Sequence, residues 1–104
     1  MAQMIVIYKS PKDPAAFERH YFEIHVPLAK QLPGLKRYET SKGSIISLAG
    51  APHAYFAAIL YFDSPAAIKD AFASECGRAC AADRRVLVPD EQDVQIFLLD
   101  TRSA

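Results

Sequence analysis

The residues best suited to chemistry in this chain of 104 residues stand in the stretch FEIHVPLA, where His25 comes two positions before Pro27. Histidine exchanges a proton readily near neutral pH, which suits it to general acid or base catalysis. Phe17 and Tyr21 precede His25 by eight and four residues, so all three lie on one face of a predicted helix. Because proline disfavours helical geometry at the residue before it, we expect this helix to end close to His25.

Two interpretations of His25 are open at this point. In the structural one, a ring N–H donates to a backbone carbonyl that Pro27 has left free, such as that of Glu23. In the functional one, the imidazole lines a pocket and moves a proton on a bound molecule. Tyr38, on the strand after the next turn, is the natural partner, because its hydroxyl can hydrogen-bond a substrate oxygen or His25 itself. Its alternative is a cross-strand aromatic contact.

Other side chains with possible roles are more ambiguous. His20 is expected to face solvent one turn from Glu23, and His53 has no evident partner. Cys76 and Cys80 are interpreted as small hydrophobic residues on one helix face, since their spacing suits a disulfide poorly and the scattered histidines complete no zinc site. No metal is predicted. Aromatic residues that are candidates for pocket lining, with ordinary core as the alternative, are Tyr8, Tyr21, Phe56 and Phe72.

The elements that must position these residues follow from the hydrophobic pattern and from two helix starts. Asp13 followed by Pro14, and Ser64 followed by Pro65, are each typical of an N-cap and first helical residue. A further helical piece is expected over Glu75–Leu87, either separate from the second helix or continuous with it. The predicted order is strand, helix, strand, strand, helix, strand, which is the ferredoxin-like α+β arrangement in one domain over residues 1–104. The strands are expected over Gln3–Lys9, Leu35–Leu48, Ala54–Phe62 and Val94–Asp100.

These strands are apolar on both faces. On the third strand, Phe56 and Leu60 on one face alternate with Ile59 and Tyr61 on the other, so neither face is polar. A sheet with one solvent-exposed face should instead alternate apolar and polar residues. Helices on one side of a four-stranded antiparallel sheet can cover only one of its faces. A monomer would need a long loop over the second face, and none is available, so we predict a homodimer that packs sheet to sheet as a dimeric α/β barrel.

Composition excludes several classes of function. The 12 basic and 12 acidic residues cancel, and no basic stripe with interleaved aromatics indicates nucleic-acid binding. The longest apolar run, Ala54–Phe62, is too short to span a membrane, and the first residues lack the basic region of a signal peptide. We therefore expect a cytoplasmic protein without nucleic-acid or membrane partners. No Gly-x-Gly-x-x-Gly fingerprint supports a nicotinamide cofactor.

The stretch FERHYFEIHVPLAKQLPGLKRYE resembles the first-helix signature of the EthD-domain family, in which a helix runs into His-x-Pro-Leu-Ala and then Leu-Pro-Gly-Leu. The second half, AYFAAILYFDSPAAIKDAFASECGRACAAD, is similar to the family's hydrophobic strand and alanine-rich helix. The resemblance implies dimeric α/β barrels of ferredoxin-like subunits and places the signature histidine at His25. The wider superfamily includes cofactor-free monooxygenases, lactone isomerases, polyketide cyclases and haem proteins, so the reaction transfers less well than the fold.

Three functions are compatible with these observations. The first is a small cofactor-free enzyme, an oxidoreductase, isomerase or cyclase, acting on an apolar oxygenated molecule with His25 as acid or base and Tyr38 orienting a carbonyl or phenol. The second is a non-catalytic protein that binds a hydrophobic ligand or assists an oxygenase system. The third is a haem-handling barrel with His25 as axial ligand, which no other feature supports.

Overall fold

A four-stranded antiparallel sheet forms one layer of the protein in the computed structural model, which describes residues 1–50 and 54–104. The strands are β1 (Ala2–Tyr8), β2 (Arg37–Thr40), β3 (Phe56–Phe62) and β4 (Val94–Asp100), in the spatial order β2-β3-β1-β4. The two edge strands are thus β2 and β4, as a ferredoxin-like subunit requires, and the predicted fold class is confirmed. His53 lies outside the described residues.

The helices pack on one face of this sheet. They are α1 (Pro14–His20), a π-helical segment (Tyr21–His25), α2 (Val26–Ala29), α3 (Pro65–Ala73) and α4 (Glu75–Leu87). Both predicted helix starts are confirmed. The Asp13 carboxylate accepts from the Ala16 N–H, and the Ser64 hydroxyl accepts from the Ala67 N–H, each at 3.1 Å. None of the helices in the described ranges is both long and apolar enough to cross a membrane.

The bounds of β1, β2 and β3 differ from the sequence prediction, and the difference is largest at β2. The second strand covers Arg37–Thr40 rather than Leu35–Leu48, because the polar residues after it have no apolar face to bury against the sheet. Of the two alternatives for the helical residues after Pro65, the structure has separate helices, since Ser74 takes an extended conformation between them with ψ 166°. The Ser74 hydroxyl caps α4 by accepting from the Gly77 N–H at 3.0 Å.

The two faces of the sheet differ in burial. On the helix-covered face, Val6 pairs with Ala58 on β3 and with Ile96 on β4, and the first two of these are buried. On the outer face Ile5 and Ile59, which pair with each other, are only half-buried. The edge strand β4 is exposed on both faces, with Phe97 46% and Leu98 41% accessible. The outer face is therefore apolar and uncovered in a single chain, as the apolar residues on both faces of the strands indicated.

Candidate active site

A cavity of about 220 Å³ lies between the sheet and the helices. All four strands, the π-helical segment and helices α2, α3 and α4 contribute to its wall. The site is therefore built by tertiary packing rather than by one local motif. The wall is mostly apolar, with a small number of polar and charged side chains, which is the usual character of a small-molecule site. The polar and charged lining residues are Tyr8, Tyr21, His25, Tyr38, Arg84, Arg85 and Glu91.

The π-helical segment positions two of these side chains. Tyr21 and His25 begin and end the segment, both are buried, and their rings lie 5.2 Å apart between centroids. The helix does not end near His25, contrary to the sequence prediction, and continues through Pro27 to Ala29. In an α-helix the ring of a proline clashes with the carbonyl four residues earlier, and the wider spacing of a π turn relieves this conflict. Such turns are frequent at functional sites.

Asp83 on α4 holds both histidines of the first helical region. Its carboxylate accepts from His25 Nδ1 at 2.8 Å and from His20 Nε2 at 2.9 Å. Burial opposes ionisation of Asp83, but the hydrogen bonds from His25 and His20 outweigh it, so the pKa of this carboxyl lies below its ordinary value. An ionised carboxylate is an acceptor only, so each imidazole presents an N–H to it.

This arrangement differs from the structural interpretation of His25 and from the expectation for His20. The His25 ring donates to the Asp83 carboxylate rather than to a backbone carbonyl such as that of Glu23, and His20 is paired with Asp83 rather than only facing solvent. The remaining ring nitrogen of His25, Nε2, has no hydrogen-bond partner among the described residues. Because His25 lines the cavity, Nε2 is the atom left to act on a bound molecule.

Tyr21 and Tyr38 form a pair of phenols beside His25. Their hydroxyl oxygens are 2.5 Å apart, so Tyr38 pairs with Tyr21 and not directly with His25. Burial raises the pKa of Tyr38 to about 12, although the hydrogen bond from Tyr21 acts in the opposite sense. Burial raises the pKa of Tyr21 further still. Both phenols are therefore neutral at physiological pH, and the pair has one O–H available to a ligand oxygen.

The structure brings most of the sequence-derived site residues to this one cavity. Phe56 is the exception, since it packs beneath the site against Tyr21 with ring centroids 4.7 Å apart and does not line the wall. Sequence reasoning missed Asp83 and Arg84, which stand in the charged stretch ADRR that reads as a solvated helix end. The predicted residues that do line the cavity are Tyr8, Tyr21, His25, Tyr38 and Phe72.

The polar residues of this region do not resemble a metal centre. Within residues 1–50 and 54–104, no group of three or more histidine, cysteine, aspartate or glutamate side chains could hold a metal ion. Cys76 and Cys80 are free thiols, and the Cys76 Sγ donates to the Leu28 carbonyl at 3.4 Å. Burial raises the pKa of Cys80 to about 12, so this thiol stays protonated and packs as a hydrophobic residue.

Comparison with known proteins settles the family. The model of the EthD domain matches residues 9–91. The chain belongs to the EthD-domain family. It is also 46% identical over 84 residues to an uncharacterized 11.0 kDa protein from the thcB-thcC intergenic region of Rhodococcus erythropolis, covering 80% of each chain.

Solved structures show the same fold. An EthD family protein from Bacillus halodurans superposes with a TM-score of 0.85 at 22% identity, covering 98% of this chain and 99% of the other. SnoaB, a cofactor-independent oxygenase from Streptomyces nogalater, has a TM-score of 0.67 at 16% identity over 99% and 94%. A dimeric ferredoxin-like protein of unknown function from Thermobifida fusca has a TM-score of 0.68 at 18% identity over 96% and 90%.

Proposed function

We propose that this EthD-family protein binds an apolar, oxygen-bearing small molecule in the cavity and that His25 transfers a proton to or from it. The observation that supports this proposal is the placement of a histidine, oriented by a carboxylate at 2.8 Å, beside a pair of neutral phenols in one largely apolar cavity. An imidazole whose second nitrogen is held by a carboxylate has a fixed tautomer and orientation, which general base catalysis requires.

The geometry favours proton abstraction next to a carbonyl group. His25 Nε2 would accept a proton from the carbon beside the carbonyl, and the electron pair of that C–H bond would move to the carbonyl oxygen. The hydroxyl that the Tyr21–Tyr38 pair leaves free would then donate to the resulting enolate oxygen. This step can begin an isomerisation, a cyclisation or a reaction with molecular oxygen that needs no cofactor. The fold shared with SnoaB supports the oxygenase alternative.

Binding without catalysis is the second candidate function. The lining is mainly apolar, including Met4, Val6, Leu32 and Leu60, and such a wall can hold or deliver a hydrophobic ligand with no proton transfer. In that role the protein would be an accessory to another enzyme, such as an oxygenase. The free thiols of Cys76 and Cys80 fit a reducing, cytoplasmic setting for either function.

Isotope exchange separates these two functions. 2-Tetralone is an apolar ketone with acidic C–H bonds, and its deuterium uptake from D₂O can be followed by NMR with and without the protein. We expect the protein to accelerate exchange and His25→Asn to reduce the acceleration about 100-fold or more, because a general base contributes about that much. The matched control Asp70→Asn, at an exposed position on α3, should behave as wild type. Binding of the ketone without accelerated exchange would favour the accessory function and contradict proton transfer.

The proposal includes a homodimer formed through the outer face of the sheet. Ile5, Ile59, Phe97 and Leu99 share this face, and fully burying one large apolar side chain contributes about 1.5–3 kcal/mol. A patch of this kind is rarely left in water by a monomer. The Thermobifida fusca relative in fold is dimeric, which supports the same assembly here.

Sedimentation tests the assembly. We expect wild-type protein at micromolar concentration to sediment as a dimer and Leu99→Lys to sediment as a monomer, because the lysine places a charge in the proposed interface. Ile24→Lys is the matched control, since Ile24 is an exposed apolar residue of the helical layer, 52% accessible. A folded wild-type monomer, or a dimer lost equally in both variants, would contradict sheet-to-sheet pairing.

A further inference from the structure

The proposed proton transfer does not use the hydroxyl of Tyr8. Tyr8 is 1% exposed and lines the cavity, yet its hydroxyl makes no hydrogen bond to any described residue. No fully buried side-chain nitrogen or oxygen in the described ranges lacks a partner, so this hydroxyl opens into the cavity. A buried phenol retained without a protein partner indicates that a ligand atom satisfies it.

Arg84 supplies a positive charge in the same cavity. Arg84 Nη1 donates to the Val88 carbonyl at 3.1 Å, which uses one of five guanidinium donors. No carboxylate in the described parts of the chain lies within ion-pair distance of it. Tyr8 and Arg84 line the same cavity. Burial raises the pKa of Tyr8 above its usual range and the neighbouring Tyr38 adds to this, while the charge of Arg84 lowers it and that of Asp83 raises it.

The other charges of the wall leave this cation unbalanced. Asp83 accepts hydrogen bonds from His20 and His25, so its carboxylate is already paired. Arg85 and Glu91 also line the cavity and carry opposite charges. A neutral phenol donor and a guanidinium in one cavity together match an oxyanion, above all a planar carboxylate.

We infer that Tyr8 and Arg84 form an anion-binding subsite, and that the molecule taken up by the cavity is an apolar carboxylate. This inference rests on the proposed function and names its ligand class. The carboxylate would lie against Tyr8 and Arg84, and the remainder of the ligand would extend along the apolar wall toward Tyr38 and His25. The subsite thus fixes which end of the ligand meets the imidazole.

A matched pair of probes tests the subsite. 4-Hydroxybenzoate and 4-hydroxybenzamide have nearly the same shape and differ in charge, and their affinities can be measured by titration calorimetry. We expect the benzoate to bind about ten-fold tighter or more, since hydrogen bonds to a charged group are the stronger ones. Tyr8→Phe and Arg84→Gln should each remove most of this preference. Arg78→Gln, an exposed arginine on the same helix, should retain it.

The outcomes separate failure of the subsite from failure of the cavity. Ala58→Phe, which fills the wall between β1 and β2, should abolish binding of both probes if they occupy the cavity. Equal affinity for the two probes, lost in this variant, would overturn the anion subsite and leave cavity binding intact. Absence of binding by both probes, or binding that the filled variant retains, would overturn the subsite together with the proposed function. A charge preference that Arg84→Gln leaves unchanged would also overturn the subsite.

Discussion

Removing the carboxylate of Asp83 should destabilise the protein by an amount that the geometry sets. The carboxylate accepts two hydrogen bonds, at 2.8 Å from His25 and 2.9 Å from His20, and a hydrogen bond to a charged group contributes about 1.5–3 kcal/mol. The His20 side chain is 25% exposed, so water can partly replace the hydrogen bond that it loses. We therefore expect Asp83→Ala to lower the free energy of unfolding by about 3 kcal/mol at pH 7.

The isosteric change Asp83→Asn separates charge from hydrogen bonding. The amide can still accept from one imidazole and donate to the other, but neutral hydrogen bonds are about half as strong as charge-assisted ones. We expect Asp83→Asn to cost about half as much as Asp83→Ala. Urea denaturation at one protein concentration measures both, and Asp70→Ala on the exposed face of α3 should stay within about 0.5 kcal/mol of wild type.

The pH dependence gives the same experiment a second readout. Because the pKa of Asp83 is lowered in the folded state, its ionised form stabilises the protein above the unfolded-state pKa of about 3.9. That stabilisation is lost as the pH falls through the lower, folded-state pKa. The difference between wild type and Asp83→Ala should accordingly be full at pH 7 and shrink below about pH 4. Equal stability of Asp83→Ala and Asp70→Ala at pH 7, or a difference that grows in acid, would show that the ionised Asp83 carboxylate does not stabilise the fold.

Four further substitutions test the fold and the phenol pair. Gly77→Ala should lower the free energy of unfolding by about 3 kcal/mol or more, because an added Cβ would lie 2.2 Å from a backbone oxygen of α3. Near-normal stability in denaturation experiments would contradict this packing. Tyr38→Phe should lower the free energy of unfolding by about 1 kcal/mol more than Tyr21→Phe does, because it leaves the deeply buried Tyr21 hydroxyl unpaired. The reverse order in urea denaturation would contradict this. Ser64→Ala should cost about 1 kcal/mol through loss of its cap, with no cost arguing against that hydrogen bond.

Local signals in the sequence were sufficient for most of the fold. Asp13 and Ser64 each precede a proline at the start of an apolar helical pattern, and both caps form through contacts only three residues apart. The last strand, Val94–Asp100, was predicted with its observed bounds because an apolar run of β-forming residues marks it. The second strand was predicted too long, since its polar continuation carries no periodic signal that separates strand from loop.

The candidate site was predictable only in part. His25 and Tyr38 can be identified as site candidates from their residue types and from their positions beside a proline and a turn. Asp83 lies 58 residues from His25, in a charged helix end, and only tertiary packing brings the two together. The π-helical segment that carries Tyr21 and His25 also escaped prediction, because proline normally indicates a helix end and no pattern distinguishes the turn that accommodates it.

A small molecule that occupies the cavity should contact His25 Nε2. Protein labelled with ¹⁵N in its histidine rings allows each ring nitrogen to be followed by NMR while 4-hydroxybenzoate is added. We expect His25 Nδ1 to carry the proton, as its contact with Asp83 requires, and the Nε2 signal of His25 to shift with saturation. A saturable shift at other histidines with His25 Nε2 unchanged, or no shift in any of them, would contradict the account.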